Sequence, residues 1–392
     1  MGVLPLAKRF FNLKRSGPLY GVIMDRKFLY PWLALNGIAG LGKVGFARLI
    51  ERYGSPEKVF QSDLGELQSI EGIRKNTALA IVKFKRAEKI DRELDELEKQ
   101  KIGVLTLTDP LYPPLLAQIH DPPPFLYYKG SPAVQDSHCL AVVGSRLGTP
   151  YGIKMTERLA WGLSQKGLTI VSGMARGIDT AAHHGALMAQ GRTVAVLGSG
   201  LDVIYPEENK KLYDRLVDLG MVCSEFPLGT LPERQNFPIR NRIISGMALG
   251  VVIVEATQRS GSLITARLAL EQGREVFAVP GSVDSFKSSG THSLIKQGAK
   301  LVEHAGDILE ELHWEESPQE PAPKSKSKVP DRILSLSPKE KQIWDLLTDG
   351  SLHVDQMVRQ AGIGISPMLS LLLEMELKGL IKQLPGKIFV RN

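Results

Sequence analysis

A chain of 392 residues is too long for one ordinary hydrophobic core and long enough for two or three domains. Its hydrophobic content of 43% excludes wholesale disorder, and 49 Lys and Arg against 42 Asp and Glu, a net +7 with pI near 9.2, permit a polyanionic partner without requiring one. Two cysteines, Cys139 and Cys223, each inside an apolar run, exclude a disulfide framework or a cysteine-rich zinc site.

The chain begins with a basic stretch, Met1 to Arg15, that contains Phe10-Phe11 but no continuous apolar run ahead of a small-residue cleavage site, so it does not read as a secretory signal. No run reaches the roughly 20 apolar residues of a membrane span. The expectation is a soluble, cytoplasmic protein with no membrane partner. Residues 1–30 read as an N-terminal extension and 31–100 as a helical domain. That domain carries a doubled motif: Ile38-Ala39-Gly40-Leu41-Gly42-Lys43 ahead of an amphipathic helix, and Ile70-Glu71-Gly72-Ile73-Arg74-Lys75 ahead of another. Both resemble the helix-hairpin-helix unit of small SAM-like domains, in which glycines let backbone N–H groups at a helix start face a phosphate. The second copy departs from the pattern, with Arg74 where the second glycine belongs.

From 103 to 312 strands alternate with helices. The expected strands are Leu140–Gly144, Leu168–Ser172, Thr193–Leu197, Met221–Glu225, Gly250–Val254 and Glu275–Val279, short and almost continuously apolar, as strands buried on both faces of a parallel sheet are. Expected helices lie between them at 151–166, 180–190, 207–219, 238–249 and 262–272. This alternation predicts an α/β, Rossmann-like, doubly wound and mostly parallel sheet, with ligands outside the carboxyl ends of its strands. Those ends carry Gly144-Ser145-Arg146, Ser172-Gly173 with Arg176, Gly198-Ser199-Gly200, Arg234 and Phe237 with Arg240 and Arg242, Ser260-Gly261-Ser262, and Pro280-Gly281-Ser282. Glycine turns aim N–H groups together, serines add donors, and arginines fork onto phosphate oxygens.

The pattern disfavours both a dinucleotide and a nucleoside triphosphate as the source of the phosphates. The first turn is not G-x-G-x-x-G, no acid closes the second strand, and no G-x-x-x-x-G-K-[ST] occurs. A polymer lying across several turns fits better, and Phe237 among basic neighbours offers its bases a stacking face. Phe237 could equally anchor its loop to the core.

Taken together these stretches resemble the DNA-processing protein DprA (Smf) family, over nearly the whole chain. The most specific are Gly144-Ser145-Arg146, Ser172-Gly173-x-Ala175-x-Gly177-Ile178-Asp179, Phe237-Pro238-x-Arg240-Asn241-Arg242-x-Ile244-Ser245, Ser260-Gly261-Ser262-Leu263-x-Thr265-Ala266 and Pro280-Gly281-Ser282. The resemblance implies a homodimer that binds and protects single-stranded DNA and loads the recombinase RecA onto it in natural transformation, with no cofactor or metal. By motif position, Arg146 and the backbone at Ser172 and Gly173 would grip phosphate. Arg234 and Phe237 would form a basic clamp and a stacking face, and Arg240 and Arg242 would serve either the site or the sheet edge. Gly290-Thr291-His292 departs from the Asn usual after Gly-Thr.

Residues 313–334 read as a Pro/Ser/Lys linker, and 335–392 as a winged helix opened by the capping box Ser337-Pro338-Lys339-Glu340. Its third helix, from Met368, carries almost no basic or amide side chains. A protein contact, or a backbone contact through Lys382, Lys387 and Arg391, is therefore expected rather than base reading. The competing reading is a nucleotide phosphoribohydrolase-like enzyme using Asp179, His183, His184, Glu225, Glu255 or Asp284. Each also has a plain structural use, such as Asp179 capping a helix, or Glu225 and Glu255 pairing with Arg242 or Arg259.

Overall fold

A computed structural model describes residues 25–314, 337–347, 352–378, 380–384 and 387–391. The expected extension at 1–30 and the linker at 313–334 therefore lie mostly outside the described residues. The chain forms two compact units, Met1–Glu316 and Ser317–Asn392.

In the first unit the described residues begin with α1 (Arg26–Asn36), started by the Asp25 carboxylate, which accepts the N–H groups of Lys27 and Phe28. Position 31, expected to begin the helical domain, falls inside this helix. Five more helices follow: α2 (Lys43–Tyr53), α3 (Pro56–Phe60), α4 (Leu64–Gln68), α5 (Lys75–Val82) and α6 (Glu88–Lys99). The two motif copies precede α2 and α5 and pack against each other reciprocally. Gly40 takes a left-handed φ of 77° and a Cβ there would sit 3.0 Å from Thr77 Oγ1; Gly72, at φ 87°, would meet Arg48 Nη1 at the same distance. Trp32 and Phe46, stacked 5.7 Å apart, belong to an apolar cluster that also takes in Tyr127, Leu197 and Val222 of the sheet. The helical segment is thus docked onto the α/β layer by a shared core.

Among the described residues the sheet has nine strands: β1 (Gly103–Thr106), β2 (Phe125–Gly130), β3 (Cys139–Gly144), β4 (Thr169–Ser172), β5 (Thr193–Val196), β6 (Met221–Ser224), β7 (Ala248–Val254), β8 (Glu275–Ala278) and β9 (Lys300–Leu301), in the order β1-β2-β6-β5-β4-β3-β7-β8-β9. From β6 to β9 every pairing is parallel; β1 and β2 close one edge antiparallel. The six expected strands are present within a residue or two of their boundaries, and β1, β2 and β9 are additional. Helices α7 (Pro150–Gln165), α8 (Ile178–Met188) and α9 (Lys210–Leu219) cover one face; α10 (Asn236–Met247) and α11 (Gly261–Glu271) cover the other. Chain order reverses between β3 and β7, so the crevice of a doubly wound sheet lies at Gly144 and Val254. A Cβ on Gly144 would stand 1.8 Å from the Val254 carbonyl oxygen, so only glycine fits there. The unit ends with α12 (Ser289–Lys296) and α13 (Ala305–Glu311).

The second unit is a winged helix. Helices α14 (Pro338–Leu346), α15 (Val354–Ala361) and α16 (Ile365–Leu377) pack with β10 (Leu352–His353), β11 (Ile381–Leu384) and β12 (Ile388–Arg391) around Ile343, Met357, Met368, Leu372 and Phe389. The capping box forms as expected: Ser337 accepts from the Glu340 N–H while Glu340 accepts from the Ser337 N–H. Ile365, Leu369 and Leu373 leave an apolar row exposed on α16, and Lys382 and Lys387 are exposed on the wing. Among the described residues no helix is long and apolar enough to cross a membrane.

Candidate nucleic-acid interface

Four loops meet where the parallel strands end. The β3 loop is fastened to the start of α8, because the Ser145 carbonyl accepts the Ile178 N–H at 3.1 Å and the Ser145 hydroxyl accepts the Leu147 N–H at 3.2 Å. Gly177 makes the approach possible: it sits at φ 73°, and a Cβ on it would lie 2.3 Å from Ser145 O. Arg146 is thereby held out in solvent, with its guanidinium 4.8 Å from the ring centre of Phe237, a cation–π distance. Phe237 stands in the first turn of α10 and passes Gly198 at the end of β5, where a Cβ would meet the ring at 3.0 Å. Its ring is half-buried and tilted against Tyr205 at 5.9 Å. Tyr205 and Arg176 line an open depression of about 680 Å³ with Pro206, Glu208 and Pro232. Arg234 is exposed and has no ion-pair partner among the described residues.

Several expected site residues are placed behind this surface instead. Ser172 is buried and its hydroxyl donates to the Val142 carbonyl at 2.7 Å. The turn at Gly173 already holds an anion: the Asp179 carboxylate accepts the N–H groups of Gly173 and Ala175. Burial raises the Asp179 pKa, opposed by the neighbouring Arg240 charge. Arg240 is itself buried, with Nη1 donating to the carbonyls of Gly173 (2.8 Å) and Val196, and desolvation pulls its pKa down to about 10. Arg242 turns to a different set of partners, bonding Glu225 and Asp121. Ser260 and Ser262 bond each other at 2.8 Å, and Ser260 caps α11; none of their contacts reaches Arg146 or Phe237. Arg176, though exposed, is held in a two-bond pair with Glu208 at 2.7 Å. Thus Ser172, Gly173, Ser260, Ser262, Arg240 and Arg242 build the sheet edge, while Arg146, Phe237, Ser145 and Gly144 form a connected outer surface flanked by Arg176.

The profile of the family described as DNA recombination-mediator protein A matches residues 103–313, more than half of the chain. This chain belongs to that family. A second profile, described as the DprA winged helix domain, matches residues 317–387. The Smf protein of Synechocystis sp. is 33% identical over 92% of this chain and 98% of its own length; the Smf protein of Escherichia coli is 39% identical over 91% and 94%. The X-ray structure of DNA processing protein A (DprA) from Streptococcus pneumoniae superposes with a TM-score of 0.62 at 40% identity, covering 72% of this chain and 96% of that one.

Within this DNA recombination-mediator fold four of the six groups considered for a hydrolase, His183, Glu225, Asp179 and Glu255, make hydrogen bonds or ion pairs of their own. His183 is buried, bonds Thr193 Oγ1 at 2.7 Å through Nδ1, and burial lowers its pKa to about 3, so it stays neutral. Glu225 pairs with Arg242, as expected, and also with Lys43 of α2, whose pKa desolvation lowers. Asp179 does not cap α8, which Gly177 does, but fills the turn before it. Glu255 ignores Arg259: its carboxylate accepts the Thr149 N–H at 2.8 Å and the Thr149 hydroxyl, at the start of α7. The helix N-terminus at which a Rossmann fold holds a pyrophosphate is therefore closed by the chain's own anion. Glu255→Ala is expected to lower stability by about 1.5–3 kcal/mol, the range for hydrogen bonds to a charged group. A urea titration checks it; an unchanged midpoint would show that the carboxylate does not hold this turn. Sequence reasoning missed Tyr205, although the same signal that marked Phe237, an aromatic in a strand-end loop, was available there. It also missed Glu208, an acid whose reach to Arg176 depends on the fold.

Proposed function

We propose that this protein binds single-stranded DNA without reading its sequence. The observation that carries this reading is the Arg146 guanidinium set over the half-exposed ring of Phe237 at the ends of parallel strands. A stacking face accepts any base, and a fixed guanidinium takes phosphate oxygens whatever the base is. The recombination-mediator family points the same way. In this reading the chain is a cytoplasmic binder rather than an enzyme. It works as a homodimer through the α/β domain and passes the protected strand to the recombinase RecA in transformation. The apolar row Ile365, Leu369 and Leu373 on α16 supports a protein contact for the winged helix, because none of the three side chains can hydrogen-bond a base edge.

Binding of oligo-dT is expected to weaken as salt rises, with log K falling against log[salt] by about 0.7 for each phosphate neutralised. Double-stranded oligonucleotide of equal length is expected to bind more weakly, since its bases are not free to stack. A titration over several salt concentrations checks both. A flat salt response, or a preference for duplex, would overturn the reading.

A further inference from the structure

The loop between β8 and α12 presents an apolar surface that the proposed site does not use. Val283 is 88% exposed and Phe286 77%; beside them Leu147 is 75% and Tyr151 52% exposed. Single exposed apolar residues need no explanation, but four on two tethered segments make a patch. The loop is held at its base and by the residue that follows Phe286. Tyr151 donates its hydroxyl to the Pro280 carbonyl at 2.8 Å, and His292 Nε2 lies 3.1 Å from the Gly281 carbonyl. Lys287 Nζ donates to the Leu147 carbonyl. Two successive turns, Ser285 N–H to Ser282 O at 3.1 Å and Ser288 N–H to Ser285 O at 2.9 Å, fix the shape between these ties. A loop built to anchor itself would turn Phe286 inward; this one holds it out.

Leu147 is the residue after Arg146, so the patch begins where the Arg146–Phe237 surface ends. We propose that this loop is a second base-stacking subsite on the same strand path, with Phe286 as its platform and Lys287 as the nearest cation. The proposal rests on the single-strand reading above and adds where the strand goes next. The path runs from Gly198, at the end of β5, past β4, β3 and β7 to Pro280, at the end of β8. Four inter-strand steps of about 4.8 Å make roughly 19 Å, which no single nucleotide bridges. Asp284, exposed on the same loop, repels phosphate and leaves the bases, not the backbone, to meet the loop tip. Arg146 and Lys287 are the cations on the two adjoining segments that would meet the backbone. An apolar protein partner would gain from Val283 and Phe286 but has no use for two cations on the adjoining segments.

The test compares strands that do and do not reach the loop. Oligo-dT of about 2 nucleotides is too short to cover roughly 19 Å, and one of about 15 lies within the usual range of single-strand sites. Phe286→Ala in the full chain is expected to weaken the longer strand on the order of tenfold, the scale of one lost stacking contact, and to leave the shorter one unchanged. Phe286→Trp is expected to restore the loss. Phe237→Ala weakens both lengths. In a strand carrying 2-aminopurine at successive positions, the parent is expected to quench fluorescence at two separated sites, and Phe286→Ala to release one of them. Because Phe286 is exposed, its removal leaves the melting temperature unchanged. If Phe286→Ala binds the long strand like the parent, the subsite is refuted while the Arg146–Phe237 reading stands. If the parent binds neither strand, both fall. Unchanged DNA binding with weakened self-association assigns the loop to a contact between copies and overturns the proposal.

Discussion

Arg146→Ala and Phe237→Ala are each expected to weaken oligo-dT binding by about tenfold or more, Arg146→Ala without changing stability. The Phe237 estimate follows from the roughly 1–3 kcal/mol that one base–aromatic stack contributes. For Arg146 two effects combine: one phosphate contact is lost, which reduces the salt slope by about 0.7, and the ring loses the guanidinium that lies 4.8 Å above it. The two side chains touch, so their effects are not independent. The double variant is expected to lose less than the sum of the singles, by a coupling of about 0.5–2 kcal/mol, the range of cation–π contacts. Phe237→Trp keeps a stacking face and should retain most of the affinity. Arg146 is exposed, whereas Phe237 is half-buried against Gly198 and Tyr205, so Phe237→Ala also carries a packing cost that Arg146→Ala does not. Fluorescence anisotropy at two salt concentrations measures all of the binding quantities. Should both single variants bind like the parent, the strand does not pass over this edge.

How much of this was legible without coordinates depended on how local the cause was. β3 to β8 were readable because a strand buried on both faces must be apolar throughout, and that constraint is written into each segment. β2 was not, because Phe125–Gly130 is an antiparallel strand with tyrosines and a lysine, and β9 has two exposed residues, too few for any pattern. The capping box at Ser337 was readable because its partners lie within a few residues, and each glycine hairpin because its turn is local. Arg146 and Phe237 could be picked by type and place. What could not be read was which arginines face the solvent. Arg240 and Arg242 lie within five residues of Phe237 on one helix, yet the first turns beneath the ring to the carbonyls of Gly173 and Val196 and the second reaches Glu225. Those partners are 17 to 67 residues away, and nothing in the helix itself selects them. The serines carry the same lesson: a serine two residues before another at a helix start suits a phosphate donor and a cap alike, and Ser260 here caps α11.

Arg240→Ala is expected to separate support from binding, because its largest cost falls on the fold. Arg240 holds two carbonyls from different strand ends and lies beside the buried Asp179. Removing it leaves both oxygens without a donor and Asp179 with its nearest buried counter-charge gone. The loss is expected at roughly 3–5 kcal/mol, the range for breaking a buried charge pair from one side. Arg240→Lys should recover little, since one ammonium cannot take up the geometry of a fork that also bonds Asn241 Oδ1 at 3.1 Å. Asp179→Asn removes the charge but keeps an oxygen for the N–H groups of Gly173 and Ala175. The Arg240→Ala, Asp179→Asn double variant is therefore expected to be more stable than the two single losses predict when added. Urea unfolding of the sheet-bearing unit measures the cycle, and strictly additive losses would show that the two buried charges do not sense each other. Oligo-dT binding by the fraction still folded supplies the contrast with Arg146. Where Arg146→Ala lowers affinity at constant stability, Arg240→Ala lowers stability first, and affinity only as far as the ring above it loses its support.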